Sequence, residues 1–388
     1  MTTLYHRAVQ GFRARFLREP ELVVRAPGRV NLLGGHTDYN EGFVLPVAVD
    51  RAAWVAVAAC REPQATLRAL DMGNDEVIFS VRRVPASTGN WADYPKSLVW
   101  AFLERGLRPV SCEAVLTSDV PVGAGMSSSA AVELAFAYAW NVLSGFGLTL
   151  DELALLSRQA ENEYVGVNCG IMDQLVSACG RAGTAIALDT RTLQRTYVPL
   201  PARVAIVVAD SRVRRTLASS EYNLRRARCE QAVALLQTQL PHIQALRDVT
   251  PKDLQRYGSL LPDVVLRRVR HVVRENIRVK QAARALHRGD LATVGALLKE
   301  GHRSLRDDYE VSAPELDVLV EAACEVPGCY GARLTGAGFG GCSVALADEA
   351  AVPELETHLV ETYTARFDKE PAVYVVYSAD GVAAVQAA

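Results

Sequence analysis

The stretch LTSDVPVGAGMSSSAAVELAFAYAW, residues 116–140, joins three kinds of local structure in one segment. An apolar β-rich run leads into Pro121 and two glycines, three serines follow, and a strongly helix-forming run continues to residue 144. Glycines allow backbone amides to approach a ligand closely, and the free N–H groups at a helix start attract anions. The segment therefore predicts a strand, a polyphosphate-binding loop and a helix. A tight turn with a serine cap would explain only one glycine and one serine.

The rest of the chain alternates between strand-like and helical segments. Short β-rich runs such as FVLPVAV, AAWVAVAAC, EVIFSV and EAVLTSDV fill the first half, and long Arg-rich helical patterns extend from about residue 218 to 325. Strand-like runs return at CSVALA and AVYVVYSA. The pattern predicts an α+β protein with two domains, residues 1–200 and 201–388.

Composition excludes several classes of partner. The 388 residues are 49% hydrophobic with a formal net charge of −2, so no global attraction to nucleic acid or anionic lipid is expected. The Arg-rich patches at 212–215 and 267–270 are predicted to be solvated helix faces. No apolar run is long enough to cross a membrane, and residues 4–16 are predicted to form an amphipathic helix. Eight cysteines without C-x-x-C spacing indicate reduced thiols and a cytoplasmic protein, and nothing indicates its oligomeric state.

The glycine loop belongs to none of the most familiar nucleotide-binding classes. The Walker pattern requires a Gly-Lys dipeptide, which the chain lacks. The segment GAGFGG, residues 336–341, matches G-x-G-x-x-G, but a β-like run follows it where the dinucleotide-binding motif needs a helix. The D-F-G motif of protein kinases is also missing.

A second polar cluster lies in GRVNLLGGHTDYN, residues 28–40, directly before an apolar run. Arg29, His36 and Asp38 fall within ten residues, and a polar cluster of this kind can be a turn, a metal site or a loop that binds a polar ligand. A metal site at His36 is the rival interpretation, but no second His or Cys stands nearby at ligand spacing.

A third cluster lies in AENEYVGVNCGIMDQL, residues 160–175. Thr149 and Glu152 fit a capping box, so a helix is predicted to run through Glu161 and to stop near Gly166. Asp173 follows in a loop. Taken alone, either carboxylate is more simply a surface group than a catalyst.

Read together, GRVNLLGGHTDYN, PVGAGMSSSAA and LTGAGFGGC resemble, in order and separation, the three motifs of the GHMP small-molecule kinases. Within that family the chain is most similar to the galactokinases, through NCGIMDQ, LASSEYNLRRARCE and HRSLRDDYEVSAPELD. The resemblance covers residues 20 to 345. It implies two α+β domains with the active site in the cleft between them, where GAGFGG closes over the nucleotide phosphates.

The resemblance also implies a reaction and its residues. It indicates an ATP- and Mg²⁺-dependent sugar 1-kinase that converts galactose to α-galactose 1-phosphate, with Asp173 taking or orienting the proton of the anomeric hydroxyl beside Arg29. Ser129 and Glu161 would hold Mg²⁺. The ATP-binding residues it implies are Trp91, Gly123, Ala124, Gly125, Met126, Ser127, Ser128 and Ser129. The sugar-binding residues it implies are Gly35, His36, Thr37, Asp38, Gly170, Asp173 and Tyr222. For Trp91, a place in the hydrophobic core is the alternative.

Gly35 departs from the family pattern. Galactokinases usually have Glu at this position, where it accepts a hydrogen bond from the 6-hydroxyl of the sugar, and this chain reads GGHTDY. L-arabinose, which lacks carbon 6, and galacturonate, whose carboxylate a Glu would repel, are therefore alternative substrates. A sugar- and ATP-binding sensor without catalysis is the alternative from another functional class.

Overall fold

The structure, a computed structural model, describes residues 3–213 and 218–385. The helices are α1 (Leu4–Phe16), α2 (Asp93–Glu104), α3 (Ser128–Ser144), α4 (Leu150–Ala160), α5 (Met172–Cys179), α6 (Ala218–Gln237), α7 (Pro251–Tyr257), α8 (Asp263–His287), α9 (Leu291–Asp307), α10 (Pro314–Glu325) and α11 (Val352–Phe367). The strands are β1 (Leu22–Leu33), β2 (Phe43–Ala59), β3 (Gln64–Ala69), β4 (Asp75–Ser80), β5 (Cys112–Ser118), β6 (Thr184–Asp189), β7 (Arg195–Pro199), β8 (Val204–Asp210), β9 (Cys329–Thr335), β10 (Cys342–Asp348), β11 (Ala372–Val376) and β12 (Ala383–Ala384).

The described strands form two sheets. The larger has the order β12-β1-β2-β5-β3-β4, with β6 pairing β2 and β7 pairing β6. The smaller has the order β11-β8-β10-β9 and contains only strands from the second half. The first strand of the second sheet begins at Val204, and β12 returns to the edge of the first sheet, so the C-terminal end packs against the N-terminal half.

Local sequence signals explain the helices that surround the site. Helix α3 begins at Ser128, directly after the glycine loop, and packs on β1 and β2 through an Ala-rich face that also contains Phe136 and Trp140. The capping box of Thr149 and Glu152 is present at the start of α4. Helix α4 continues into one wide π-helical turn at Glu161–Val165 and ends at Gly166, whose φ is 88°. These helix predictions are confirmed.

Two other expectations have different outcomes. All eight cysteines are free, as their spacing indicated. The Arg-rich patch at 267–270 is not simply a solvated face, because Arg268 is completely buried and donates to the backbone oxygen of Asp308 and to Glu310. Residues 214 and 215 of the other patch lie outside the described residues. None of the helices within the described ranges is long and apolar enough to span a bilayer.

Candidate active site

A cavity of about 290 Å³ lies between the two halves of the chain. Its lining contains eight residues that the sequence singled out, which are Arg29, Gly35, His36, Asp38, Glu161, Gly170, Asp173 and Tyr222. The other lining residues are Asn31, Gly166, Val167, Asn168, Cys169, Met172, Asn223, Gly336 and Ala337. Polar side chains from three separate stretches of sequence, and the backbone of a fourth, therefore converge on one enclosed space.

A buried ion pair forms one wall of this cavity. Arg29, on β1, donates from Nε to Oδ1 of Asp173 at 2.7 Å and from Nη2 to Oδ2 at 2.5 Å. Asp173 lies in the first turn of α5, not in a loop as expected, and its side chain remains 26% exposed. The fork geometry fixes the orientation of the carboxylate while part of it still faces the cavity.

The glycine loop is fixed to this ion pair. Nη1 of Arg29 donates to the backbone oxygen of Gly125, and the hydroxyl of Ser127 donates to Oδ2 of Asp173, both at 2.5 Å. The backbone N–H of Arg29 also donates to the oxygen of Met126 at 3.0 Å. The loop that is expected to bind phosphate and the carboxylate that is expected to act on the sugar are therefore held in one hydrogen-bonded unit.

The backbone of the loop has the form of an anion-binding concavity. Gly123, Gly125 and Ser127 have φ values of 71°, 68° and 55°, whereas Ala124 and Met126 between them stay in the ordinary region. Alternation of this kind points successive N–H groups to one side, where they can surround a phosphate. Ala124 and Met126 are buried in the hydrophobic core, so their side chains anchor the loop. Ser128 and Ser129 then begin α3, whose first N–H groups are free for a ligand.

The glycine segment of residues 336–341 packs against this loop. A Cβ on Gly336 would lie 3.2 Å from Cα of Gly125, and a Cβ on Gly125 would lie 3.2 Å from the backbone oxygen of Thr335. The two glycine loops therefore touch through their backbones. Gly338 and Gly340 also need to be glycine, because a Cβ on either would collide with the backbone oxygen of Val311 or Val213.

Glu161 and Ser129 lie next to each other, as the proposed metal ligands must. Glu161 is 6% exposed, and its Oε2 accepts from Nε2 of Gln174 at 2.6 Å and from Sγ of Cys169 at 3.1 Å. Burial raises the pKa of Glu161, while hydrogen bonds from Cys169, Gln174 and Ser129 act in the opposite direction.

The acids around Glu161 leave the site short of positive charge. Glu133, one turn after Ser129 on α3, is fully buried and its Oε1 has no hydrogen-bond partner among the described residues. Burial, with the charge of Glu161, raises the pKa of Glu133 far above its usual range. No cluster of three or more His, Cys, Asp or Glu suited to a metal occurs within 3–213 and 218–385. The chain thus offers two oxygen ligands and a local excess of acid, which fits a Mg²⁺ ion that shares its coordination with phosphates and water.

Asp38 lines the same cavity. Burial, and then the charge of Asp173, raises the pKa of Asp38 to about 6. Gly170 stands directly against this carboxylate, and a Cβ there would overlap Oδ2 of Asp38. The role of Gly170 is therefore to make room for Asp38, whose pKa stays raised although backbone N–H groups, including that of Tyr39, donate to the carboxylate.

His36 lines the cavity, but protein groups already engage both of its ring nitrogens. Nε2 lies 3.1 Å from the backbone oxygen of Ala337, and Nδ1 lies 2.8 Å from the hydroxyl of Tyr39. Burial, with the charge of His271, lowers the pKa of His36 to about 3, so the ring is neutral at physiological pH. Both ring nitrogens of His36 therefore have protein partners, and neither is free for the sugar hydroxyl that the resemblance led us to expect. The ring of Tyr222 lies 5.5 Å from it.

Besides the seven residues of the glycine loop, 123–129, two residues of the sequence-based site are absent from the lining of the cavity. Thr37 is fully buried, and its hydroxyl donates to the backbone oxygens of Gly34 and Phe43, so it shapes the loop. Trp91 precedes α2, packs partly against the core and donates from Nε1 to Asp75 at 2.8 Å. This contact fits the core alternative for Trp91.

The sequence analysis missed Gln174, Glu275 and Arg333. Gln174 is completely buried next to Asp173 and bridges Glu133 and Glu161. Its position inside the GIMDQ segment was an available signal. Glu275 and Arg333 approach the loop of Gly34 and Gly35 from elements more than 200 residues away in sequence, and local pattern carries no signal for such contacts.

Comparison with known proteins adds independent evidence. Residues 10–59 match the galactokinase galactose-binding signature, 93–181 the GHMP kinase N-terminal domain and 282–365 the GHMP kinase C-terminal domain. The galactokinase of Roseiflexus sp. (strain RS-1) is 47% identical over 96% of this chain and 95% of its own length. The human galactokinase is 42% identical with the same coverage.

Solved structures agree with these matches. Lactococcus lactis galactokinase, crystallised with galactose, superposes with a TM-score of 0.94 at 31% identity, over 98% of this chain and all of that one. A mevalonate kinase at 18% identity superposes with a TM-score of 0.64, over 93% of this chain and all of that one, and shares the fold.

Proposed function

Because this chain belongs to the galactokinase family of GHMP kinases, we propose that it transfers the γ-phosphoryl group of ATP to the anomeric hydroxyl of galactose. One observation carries the proposal. The Arg29–Asp173 ion pair lines the sugar cavity and is bonded, through Gly125 and Ser127, to the glycine loop. The sugar hydroxyl that accepts the phosphoryl group and the ATP phosphates would thus both lie next to the Arg29–Asp173 ion pair.

Phosphoryl transfer needs in-line positioning and stabilisation of charge more than it needs a strong base. Asp173, held by two bonds from Arg29, presents a carboxylate oxygen of fixed orientation to the anomeric hydroxyl. It accepts the hydroxyl proton as the new P–O bond forms and the bond from the γ-phosphorus to the bridging oxygen breaks, so that ADP leaves. The Arg29 guanidinium lies beside the loop backbone at Gly125, where it adds positive charge near the transferred group.

ATP use follows from the kinase family, and we assign the metal to two residues. Ser129 and Glu161 would hold Mg²⁺, since their oxygens are adjacent and the surrounding acids favour a cation. When bound, the ion would neutralise the charge of the ATP phosphates. Residues 123–129 would surround these phosphates with backbone N–H groups, and the loop of residues 336–341 would cover them from the other half.

Galactose is the first candidate sugar because it was crystallised with the Lactococcus relative, and because Asp38, Gly170 and Tyr222 line the cavity as the family pattern requires. Because Gly35 has no side chain to contact carbon 6 of the sugar, it does not select between sugars that differ at that carbon. Without the usual Glu, the penalty for a sugar that lacks the 6-hydroxyl should disappear, so L-arabinose should be phosphorylated with an efficiency closer to that of galactose. Galacturonate is the third candidate.

The proposal is tested by following ADP formation over many turnovers with each of the three sugars. Sustained sugar-dependent ADP release supports a kinase, and the ranking of kcat/KM identifies the sugar. Tight sugar binding with no turnover would identify a sensor and refute the proposal. Strong selectivity for galactose over L-arabinose would show that another residue reads carbon 6.

A further inference from the structure

A buried carboxylate from the second half holds the loop that carries Gly35. Glu275, on α8, is completely buried, and its Oε1 accepts from the backbone N–H of Gly34 at 2.7 Å and of Gly35 at 3.2 Å. Nη1 of Arg333 donates to the same oxygen at 2.6 Å, and Nε of Arg278 donates to Oε2 at 2.7 Å. Burial by itself would raise the pKa of Glu275, but Arg333 and Arg278 outweigh it and hold this pKa far below its usual range. The carboxylate is therefore ionised and fully occupied by donors.

Two other residues of α8 form hydrogen bonds with the backbone of the same loop. His271 lies one turn before Glu275, with Nε2 3.0 Å from the backbone oxygen of Gly35 and Nδ1 2.9 Å from the hydroxyl of Ser304. Burial lowers the pKa of His271 to about 4, so the ring is neutral, and its single N–H serves the Gly35 oxygen. Oδ1 of Asn276 accepts from the N–H of Phe43, where the loop ends. The backbone N–H and the backbone oxygen of Gly35 are thus both hydrogen-bonded to side chains of α8.

The Arg333 guanidinium lies directly against Gly35. A Cβ on Gly35 would lie 2.8 Å from Nη2 of Arg333, and a Cβ on Gly301 would lie 2.8 Å from Nη1. The guanidinium, on a residue only 1% exposed, therefore occupies a slot between two glycines. A side chain at position 35 would require the Arg333 guanidinium, which also donates to Glu275, to shift. A substitution such as Gly35→Glu is consequently a disturbance of this network as well as a change in the sugar pocket.

We propose that Glu275 is a positioning residue for sugar binding, which fixes the position of the 34–35 backbone relative to Asp38 and Asp173 across the cleft. The inference rests on the proposed sugar kinase function, because it assigns the loop of Gly34 and Gly35 to the sugar. Glu275 does not line the cavity, so it acts through the backbone it binds. The second half of the chain thereby sets the shape of a sugar site whose side chains come mainly from the first half.

The test compares Glu275→Gln with a matched control. Asp93 is a second buried carboxylate, 1% exposed, that accepts from the backbone N–H of Thr88 at 2.7 Å and of Gly89 at 2.5 Å. It holds a loop outside the cavity, so Asp93→Asn reproduces the loss of a buried acid without touching residues 34 and 35. Galactose affinity by titration calorimetry, KM for ATP and Tm are measured for both variants and for the wild type.

Glu275→Gln is expected to weaken galactose binding by about tenfold or more while KM for ATP stays within about twofold, because misplacement of the loop affects the sugar alone. Asp93→Asn is expected to lower Tm and leave galactose affinity unchanged. Equal sugar affinity in Glu275→Gln and wild type would overturn the inference, as would an equal loss of affinity in Asp93→Asn.

A second pair of variants decides the matter if Glu275→Gln does not fold. His271→Gln keeps a neutral side chain with an N–H donor for the Gly35 oxygen, whereas His271→Leu removes the donor. Weaker sugar binding in His271→Leu with near-normal binding in His271→Gln supports the inference, and equal binding in both overturns it. Wild-type protein that binds none of the three sugars would refute the proposed function, which is a different outcome from wild-type binding that these variants leave unchanged.

Discussion

Replacement of Asp38 by Asn should stabilise the protein while weakening its sugar binding. In the folded protein, burial and the charge of Asp173 raise the pKa of Asp38 to about 6, whereas a carboxyl in an unfolded chain has a pKa of about 3.9. Each unit of difference corresponds to about 1.4 kcal/mol. Ionised Asp38 therefore costs the ligand-free protein up to about 3 kcal/mol of stability above pH 6, a cost that the isosteric amide avoids.

The sign of the effect with pH makes this prediction specific. Because the folded state holds the Asp38 proton more tightly, the contribution of this group is most favourable below about pH 4 and is lost as the pH rises through about 6. The stability gained in Asp38→Asn should therefore be about 3 kcal/mol near pH 7.5 and only about half of that near pH 5. Urea unfolding of ligand-free wild type and variant at these two pH values measures it.

A surface substitution and a binding measurement complete this experiment. Asp263→Asn removes an exposed carboxyl in the first turn of α8 and should give no comparable gain. The affinity of Asp38→Asn for galactose should fall by about tenfold or more, since a charged acceptor for sugar hydroxyls is lost. Stability that is unchanged in Asp38→Asn, or that rises equally at both pH values, would refute the reasoning.

Three further predictions concern catalysis, metal binding and pH. Asp173→Asn should lower kcat by on the order of 10² or more with ATP affinity little changed, and retention of most activity would exclude Asp173 as proton acceptor. Ser129→Ala and Glu161→Ala should raise the Mg²⁺ concentration needed for half-maximal activity, and an unchanged requirement in both would exclude them as ligands. Burial lowers the pKa of His271 to about 4 in the folded protein, whereas an unfolded chain binds this proton with a pKa of about 6.5. The free energy of unfolding of the wild type should therefore fall by about 2 kcal/mol as the pH drops from about 7 to about 5. His271→Gln should lose that part of the pH dependence in urea unfolding, and identical pH profiles would contradict the assignment.

Local sequence determined much of the fold around the site. The run that begins at Ser128 forms α3 with the bounds that its composition indicated, because Ala is its commonest residue and Gly145 ends it. The capping box at Thr149 and the stop at Gly166 also needed only local signals. The alternating backbone of residues 123–127 follows from its glycines.

Residues that act across the cleft were not predictable in this way. Glu275 and His271 appear in the sequence as members of an Arg-rich helix. Only the packing of α8 against the loop of Gly34 and Gly35 brings them into hydrogen-bonding contact with that loop. Arg268 is buried because Glu310 and a backbone oxygen accept from it, which composition could not reveal. The engagement of both ring nitrogens of His36 likewise depends on Tyr39 and Ala337, and Ala337 is about 300 residues away.

The most direct test of the central claim is the position of the phosphate on the product. Phosphorus NMR of a reaction containing galactose, ATP and Mg²⁺ should show a resonance coupled to the anomeric proton in the α configuration, growing as ATP is consumed. This outcome is predicted because the Arg29–Asp173 pair lies where the sugar cavity meets the glycine loop. Phosphate on another hydroxyl, or conversion of ATP to ADP and free phosphate alone, would contradict the account.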